Sequence, residues 1–190
     1  MKHITTTLLI ALTCLLSATA ARAAHVDYFL EIENIPGEVT IAKHSGHIAV
    51  DSFHTSAYQR ALTSLAGGAA SPSKAVIKPI QIVKPVDKSS PQLFLACMTG
   101  KTIPKVTLYA DYMPVDQYTG PTGTFMKITL TDVVVASIDT AGERSDAVAA
   151  EAVTLSFRSM EVSYQPVLAN GTLGPATIAS FNFTRNTAGQ

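Results

Sequence analysis

Residues 87–101 contain the stretch that most constrains the fold, because it is the one convincing helix in a chain that otherwise alternates like strands. Ser90 can accept a hydrogen bond from an orphan amide of the first turn, and Pro91 fits the first helical position, where its missing N–H costs nothing. Gly100 can take the left-handed stop, Lys101 lies at the end that favours positive charge, and Pro104 bars further helix. Leu93, Ala96 and Cys97 are spaced i, i+3, i+4, and Phe94, Leu95 and Met98 widen the apolar stripe. So short a helix is unstable alone and has to be held by the sheet it packs on.

The sheet is legible on both sides of it. Val26, Tyr28, Leu30 and Ile32 share one face of an expected strand over His25–Glu33, and Asp27, Phe29, Glu31 and Glu33 share the other. Pro36-Gly37 is a turn, and Val39 to Ile41 a short extended piece. Further strands are expected over His47–His54, Val76–Val83, Val106–Met113, Phe125–Asp139, Val153–Tyr164 and Ile178–Thr184. Pro79 marks an edge or bulge, the length of 125–139 invites a bend near Asp132, and a bulge within 153–164 would leave Val153, Leu155 and Phe157 facing opposite to Met160, Val162 and Tyr164. Gln59–Ser73, with Gly67-Gly68 at its centre, reads as a long mobile loop, Pro114–Gly123 as a connecting turn, and Asn170-Gly171 as a hairpin turn. About seven strands joined by turns, without βαβ alternation, make the chain all-β: an antiparallel β-barrel or sandwich flanked by one short α-helix.

Residues 1–23 read as a signal peptide, with Lys2, the apolar run Leu8–Leu16 and the small-residue site Ala21-Arg22-Ala23. Cys14 lacks a lipid-attachment context. Residues 24–190 then form one domain, large enough for a core without staples. Losing Lys2 and Arg22 lowers the basic residues from 14 to 12 against 14 acidic ones, which gives no electrostatic reason to bind nucleic acid or an anionic membrane. Cys97 is then the sole cysteine, so no intrachain disulfide is possible, and its place on the apolar helix face marks a buried, inert thiol.

Chemistry is sparse. His44 and His47 stand three apart, but a metal site needs three or four ligands and no third is near in sequence. They read as loop or strand-end histidines, and His25 and His54 stand alone. Asp27, Glu31 and Glu33 read as a solvated face rather than an acid/base pair. No nucleophile elbow, phosphate loop or dinucleotide fingerprint occurs, and the two glycosylation-type triplets at Asn170 and Asn182 are unspecific. The expectation is no enzyme, with no catalytic, cofactor-binding or metal residues.

Asp87-Lys88-Ser89-Ser90-Pro91 followed by Leu93, Ala96-Cys97, Gly100-Lys101 and Pro104 resembles the helix signature of the Hcp (haemolysin-coregulated) proteins of bacterial type VI secretion. Tyr28–Ile32 with Pro36-Gly37-Glu38, Ile128–Leu130 with Val133, Val135 and Ser137, Glu151–Phe157 with Tyr164-Gln165-Pro166, and Asn170-Gly171 with Phe181–Asn186 are similar in the same order. The resemblance implies a β-barrel with one flanking helix that assembles as a hexameric ring. Rings would stack into a hollow tube that is expelled and carries effectors, with the Gln59–Ser73 loop between rings. The implied partners are the chain itself, type VI secretion components and effector proteins. Two features depart from the family pattern. One is the N-terminal segment, which points to a periplasmic or secreted protein of a Gram-negative bacterium. The other is the absence of tryptophan, with Phe53 and Phe181 near the usual places. An exported binding module of the same fold, outside the secretion machine, is the alternative.

Overall fold

A computed structural model describes residues 25–59, 75–113 and 122–189. The expected signal peptide, most of the expected loop over 59–73 and most of the expected turn over 114–123 lie outside the described residues.

The strands are β1 (His25–Ile32), β2 (Ile48–Val50), β3 (Ser52–His54), β4 (Ala57–Gln59), β5 (Ala75–Ile77), β6 (Ile80–Pro85), β7 (Thr102–Met113), β8 (Gly123–Ala141), β9 (Ala150–Ser156), β10 (Ser159–Tyr164), β11 (Thr177–Asn182) and β12 (Thr187–Ala188). The helix α1 is Ser90–Thr99, and Ala42–His44 forms one 3-10 turn. All ladders are antiparallel, as turn-connected strands require. The main sheet runs β12-β11-β10-β8-β7-β1-β2, and β9, β6 and β3 branch from β8 in that order. β4 and β5 form a separate ribbon.

The long strand β8 organises this path. One edge pairs with β7, and the other pairs first with β10 and then with β9. It turns between those partners at Asp132, whose φ of 50° lies in the left-handed region, so the expected bend is where the sequence put it. Opposite it, the expected bulge divides β9 from β10 at Phe157-Arg158. Val153 and Leu155 are buried, and Met160 and Val162 pack on the same core. The break therefore returns Met160 and Val162 to the inside, so they do not face opposite to Val153 and Leu155 as expected. β7 begins at Thr102, before the expected start, and runs through Pro104.

The expected closed barrel does not form: the sheet is open between β2 and β6. The strand expected over 47–54 divides at Asp51. Before it the chain pairs with β1, after it with β6, and the Asp51 amide donates to the Val83 carbonyl at 2.9 Å. β2 lies against β6 without a ladder between them. Likewise Lys78-Pro79 divides the strand expected over 76–83, as a residue without an N–H does in a ladder.

The core lies inside this folded-over sheet: Leu30, Ile32, Ile48, Ile80, Ile82, Val106, Leu108, Ile128, Leu130, Val153 and Leu155 are all buried in it. α1 closes one side with Leu93 and Ala96, against Ile103, Val133 and Val135 of the same cluster. Burying Leu93 contributes roughly 1.5–3 kcal/mol. Gly100 stops the helix at φ 61°; its amide bonds to the Cys97 carbonyl and that of Lys101 to Ala96, the two bonds of a Schellman stop.

Candidate functional site

The N-terminus of α1 is fixed by a buried ionic cluster. Lys84 follows Ile80 and Ile82 on the core-facing side of β6 and is completely buried. Its ammonium lies 2.9 Å from Asp87 Oδ1, 3.0 Å from Glu151 Oε2 and 3.1 Å from Ser90 Oγ. Ser90 Oγ–H donates to Glu151 Oε2 at 2.7 Å and its oxygen accepts from the Asp87 amide at 3.1 Å. Ser90 therefore does not cap a first-turn amide as the sequence implied. The Ser89 carbonyl serves the amides of Gln92 and Leu93, while Ser90 ties the helix to the sheet. Two carboxylates, an ammonium and a hydroxyl suggest a Ser–Lys dyad. Yet Ser90 already donates to Glu151, and Lys84 has all three donors engaged, so neither is free to attack a substrate. The cluster is a clamp.

A second cluster lies on the opposite face of the sheet, where the β1–β2 loop folds over Phe29, Tyr109 and Asp111. His44 is buried and stacks on Phe29 with ring centroids 4.2 Å apart. Its Nε2 lies 3.0 Å from Asp111 Oδ2, and its Nδ1 lies 3.1 Å from Nδ1 of His47. Lys43 donates to Asp111 Oδ2 at 3.0 Å and to Thr124 Oγ1 at 2.7 Å. The His47 ring stacks on Tyr109, whose hydroxyl donates to Glu31 at 2.7 Å. Burial tends to raise the Asp111 carboxyl, but the Thr124 hydroxyl, His44 and Lys43 outweigh it and hold Asp111 below the ordinary carboxylate range. Burial, reinforced by His44, holds His47 below the usual imidazole range against the opposing pull of Glu31 and Asp111. Burial and the bond to Glu31 push Tyr109 up to about 12.

The structure thus brings together His44, His47 and Glu31, and adds Asp111, Lys43 and Tyr109, which sequence reasoning did not select. It leaves the other candidates apart. Among the described residues His25 pairs with Asp27 at 2.7 Å, His54 ends β3, and Glu33 lies just beyond β1. Glu31 is not merely solvated, since it holds the Tyr109 hydroxyl. Among the described residues, no group of three or more His, Cys, Asp or Glu side chains is placed to hold a metal ion. Cys97 is half-buried among the side chains packed on the core.

The third feature is the outer face of α1. Phe94, Leu95 and Met98 were expected to widen the packed stripe, but they are 55%, 61% and 62% exposed. The sheet reaches only the Leu93–Ala96 side, so three large apolar side chains are left in water on three turns of helix. Such a patch marks an interaction surface more often than an ordinary monomer surface. No helix among the described residues is long and apolar enough to cross a membrane.

Residues 29–164 match the family described as "Type VI secretion system effector, Hcp". A curated relative, protein hcp1 of Pseudomonas aeruginosa, is 33% identical over 98 residues, covering 52% of this chain and 58% of that protein. The match therefore spans little more than half of the relative's length. The crystal structure of Hcp1 from Salmonella typhimurium superimposes with a TM-score of 0.68 at 28% identity, covering 87% of this chain and 99% of that one. A structure described as a type six secretion system protein superimposes with a TM-score of 0.78 at 20% identity, covering 87% of this chain and all of that one, which shows the shared fold.

Proposed function

Because the chain belongs to the Hcp family of type VI secretion effectors, we propose that it is a secreted structural protein that acts by assembling with copies of itself. The assembly is a hexameric ring, rings stack into a tube, and the tube carries effector proteins. The observation that carries this reading is the exposed Phe94–Leu95–Met98 face, three large apolar side chains adjacent on one helix. Head-to-tail contacts close into a ring when the rotation per subunit divides a full turn, and such contacts cover both apolar patches and open sheet edges. The clamp at Lys84 supports the same reading, because its polar groups are spent on holding α1 in place. The protein is not an enzyme on this account. Negative-stain microscopy of the purified protein tests it: six-fold rings are the expected image, and uniformly dispersed single copies would oppose it.

The signal-like segment of residues 1–23 favours a second reading, an exported module of the same fold working in the periplasm or medium. N-terminal sequencing of the protein recovered from each compartment, with and without an active type VI apparatus, separates the two. A processed N-terminus at Ala24 that does not depend on the apparatus supports the module.

A further inference from the structure

The two histidines of the β1–β2 loop share a single proton position. Asp111 is ionised and can only accept, so His44 Nε2 carries a hydrogen. The 3.1 Å contact between His44 Nδ1 and His47 Nδ1 has room for one hydrogen between them. With both rings neutral, His47 Nδ1–H donates to the His44 Nδ1 lone pair. One added proton is accepted at His47 Nε2 without loss of any bond. A second must go to His44 Nδ1, and then two N–H groups on two imidazolium rings face each other at hydrogen-bond distance.

We propose that His44 and His47 form an acid-opened latch, closed while the neutral pair has taken up no further proton or one and opened by the second. His44 is the fixed half: its Nε2–H to Asp111 only strengthens when the ring is charged, and Phe29 covers its face. His47 is the moving half. It is only partly buried, and its ring is held by the Nδ1 contact with His44 and by stacking on Tyr109. The charged groups facing the pair are Asp111 and Glu31, which favour protonation, and Lys43, which opposes it; Lys127 lies opposite Tyr109 in the neighbouring strand. Opening breaks the loop bonds that run through His47, from the Val39 amide to the His47 carbonyl and from the His47 amide to the His44 carbonyl, at 3.0 and 2.9 Å. It uncovers Tyr109 and Glu31 on the polar face of the sheet. The latch is a property of the folded subunit and does not depend on ring formation.

Amide hydrogen exchange of the purified protein with parallel imidazole NMR tests this. Between about pH 7.5 and about pH 4.5, protection at Val39 and His47, corrected for intrinsic rate, is expected to fall about tenfold, in step with the second imidazole protonation. Leu93 in α1 should not change. His47→Gln is the decisive variant, because its amide offers a donor or an acceptor to His44 by flipping. Its loop should lose less than about twofold over the same range. Equal loss in His47→Gln and the native chain would overturn the proposal, as would two protonated rings with protection intact.

Discussion

The two buried ionic clusters are built from similar parts and behave as opposites. Around Lys84 every partner is close, the ammonium has three acceptors, and no ring that titrates near neutrality takes part. Around Asp111 a buried carboxylate is served by a half-exposed lysine, a histidine and the Thr124 hydroxyl, and among the described residues its Oδ1 atom has no hydrogen-bond partner. The first fixes the position of α1. The second fixes a loop only for as long as its protons stay put. Burial alone does not make a polar cluster rigid; whether its partners can leave or titrate decides that.

The sharpest way to break the comparison is to remove one partner from each cluster. Lys84→Ala leaves Glu151 buried without its cation and is expected to cost about 3–5 kcal/mol in denaturant unfolding. Asp111→Ala is expected to cost only about 1–3 kcal/mol, because Lys43 can turn to water. Equal losses would erase the distinction.

A pH series sharpens it further. His47 is held below its usual range when folded, so its contribution is full above the unfolded value near 6.5 and is lost as pH falls from there toward the folded value. Asp111 is held below 3.8, so its contribution goes only under more acid conditions. Tyr109 is raised to about 12, so its contribution is full below the unfolded value of 10.0 and fades as pH rises through the folded one. Thermal unfolding should follow these windows. Asp111→Asn should flatten the most acid one, and Tyr109→Phe the alkaline one.

Smallest of all is the expected effect of the α1 surface on the subunit itself. Met98→Ser alters a side chain that touches little, and subunit stability should move by no more than about 0.5 kcal/mol.

Much of this was readable from residue patterns, and the gaps have physical causes. The helix limits followed from Pro91 and Gly100, and the bend at Asp132 from a strand too long to stay straight. The all-β class followed from alternation, and family membership agrees with the resemblance at α1. Closure of the barrel was not readable, because the partner change at Asp51 depends on where β6 lies. Lys84 and Glu151 left a trace that was not used: each sits two residues from a buried apolar neighbour on a core-facing strand row, Ile82 and Val153. A charge in such a row must find a buried partner. Asp111 falls among the polar residues of β7, so its burial became visible only once the β1–β2 loop was seen folded over it. Exposure of Phe94, Leu95 and Met98 could not be read either, since helical periodicity gives the width of a stripe and not how much of it the sheet covers.

Light scattering on the purified protein across a wide concentration range tests the central claim most directly. A mass near six subunits, falling when Phe94, Leu95 and Met98 are together replaced by serine while α1 stays folded, is the predicted result. A single-subunit mass at every concentration would contradict it.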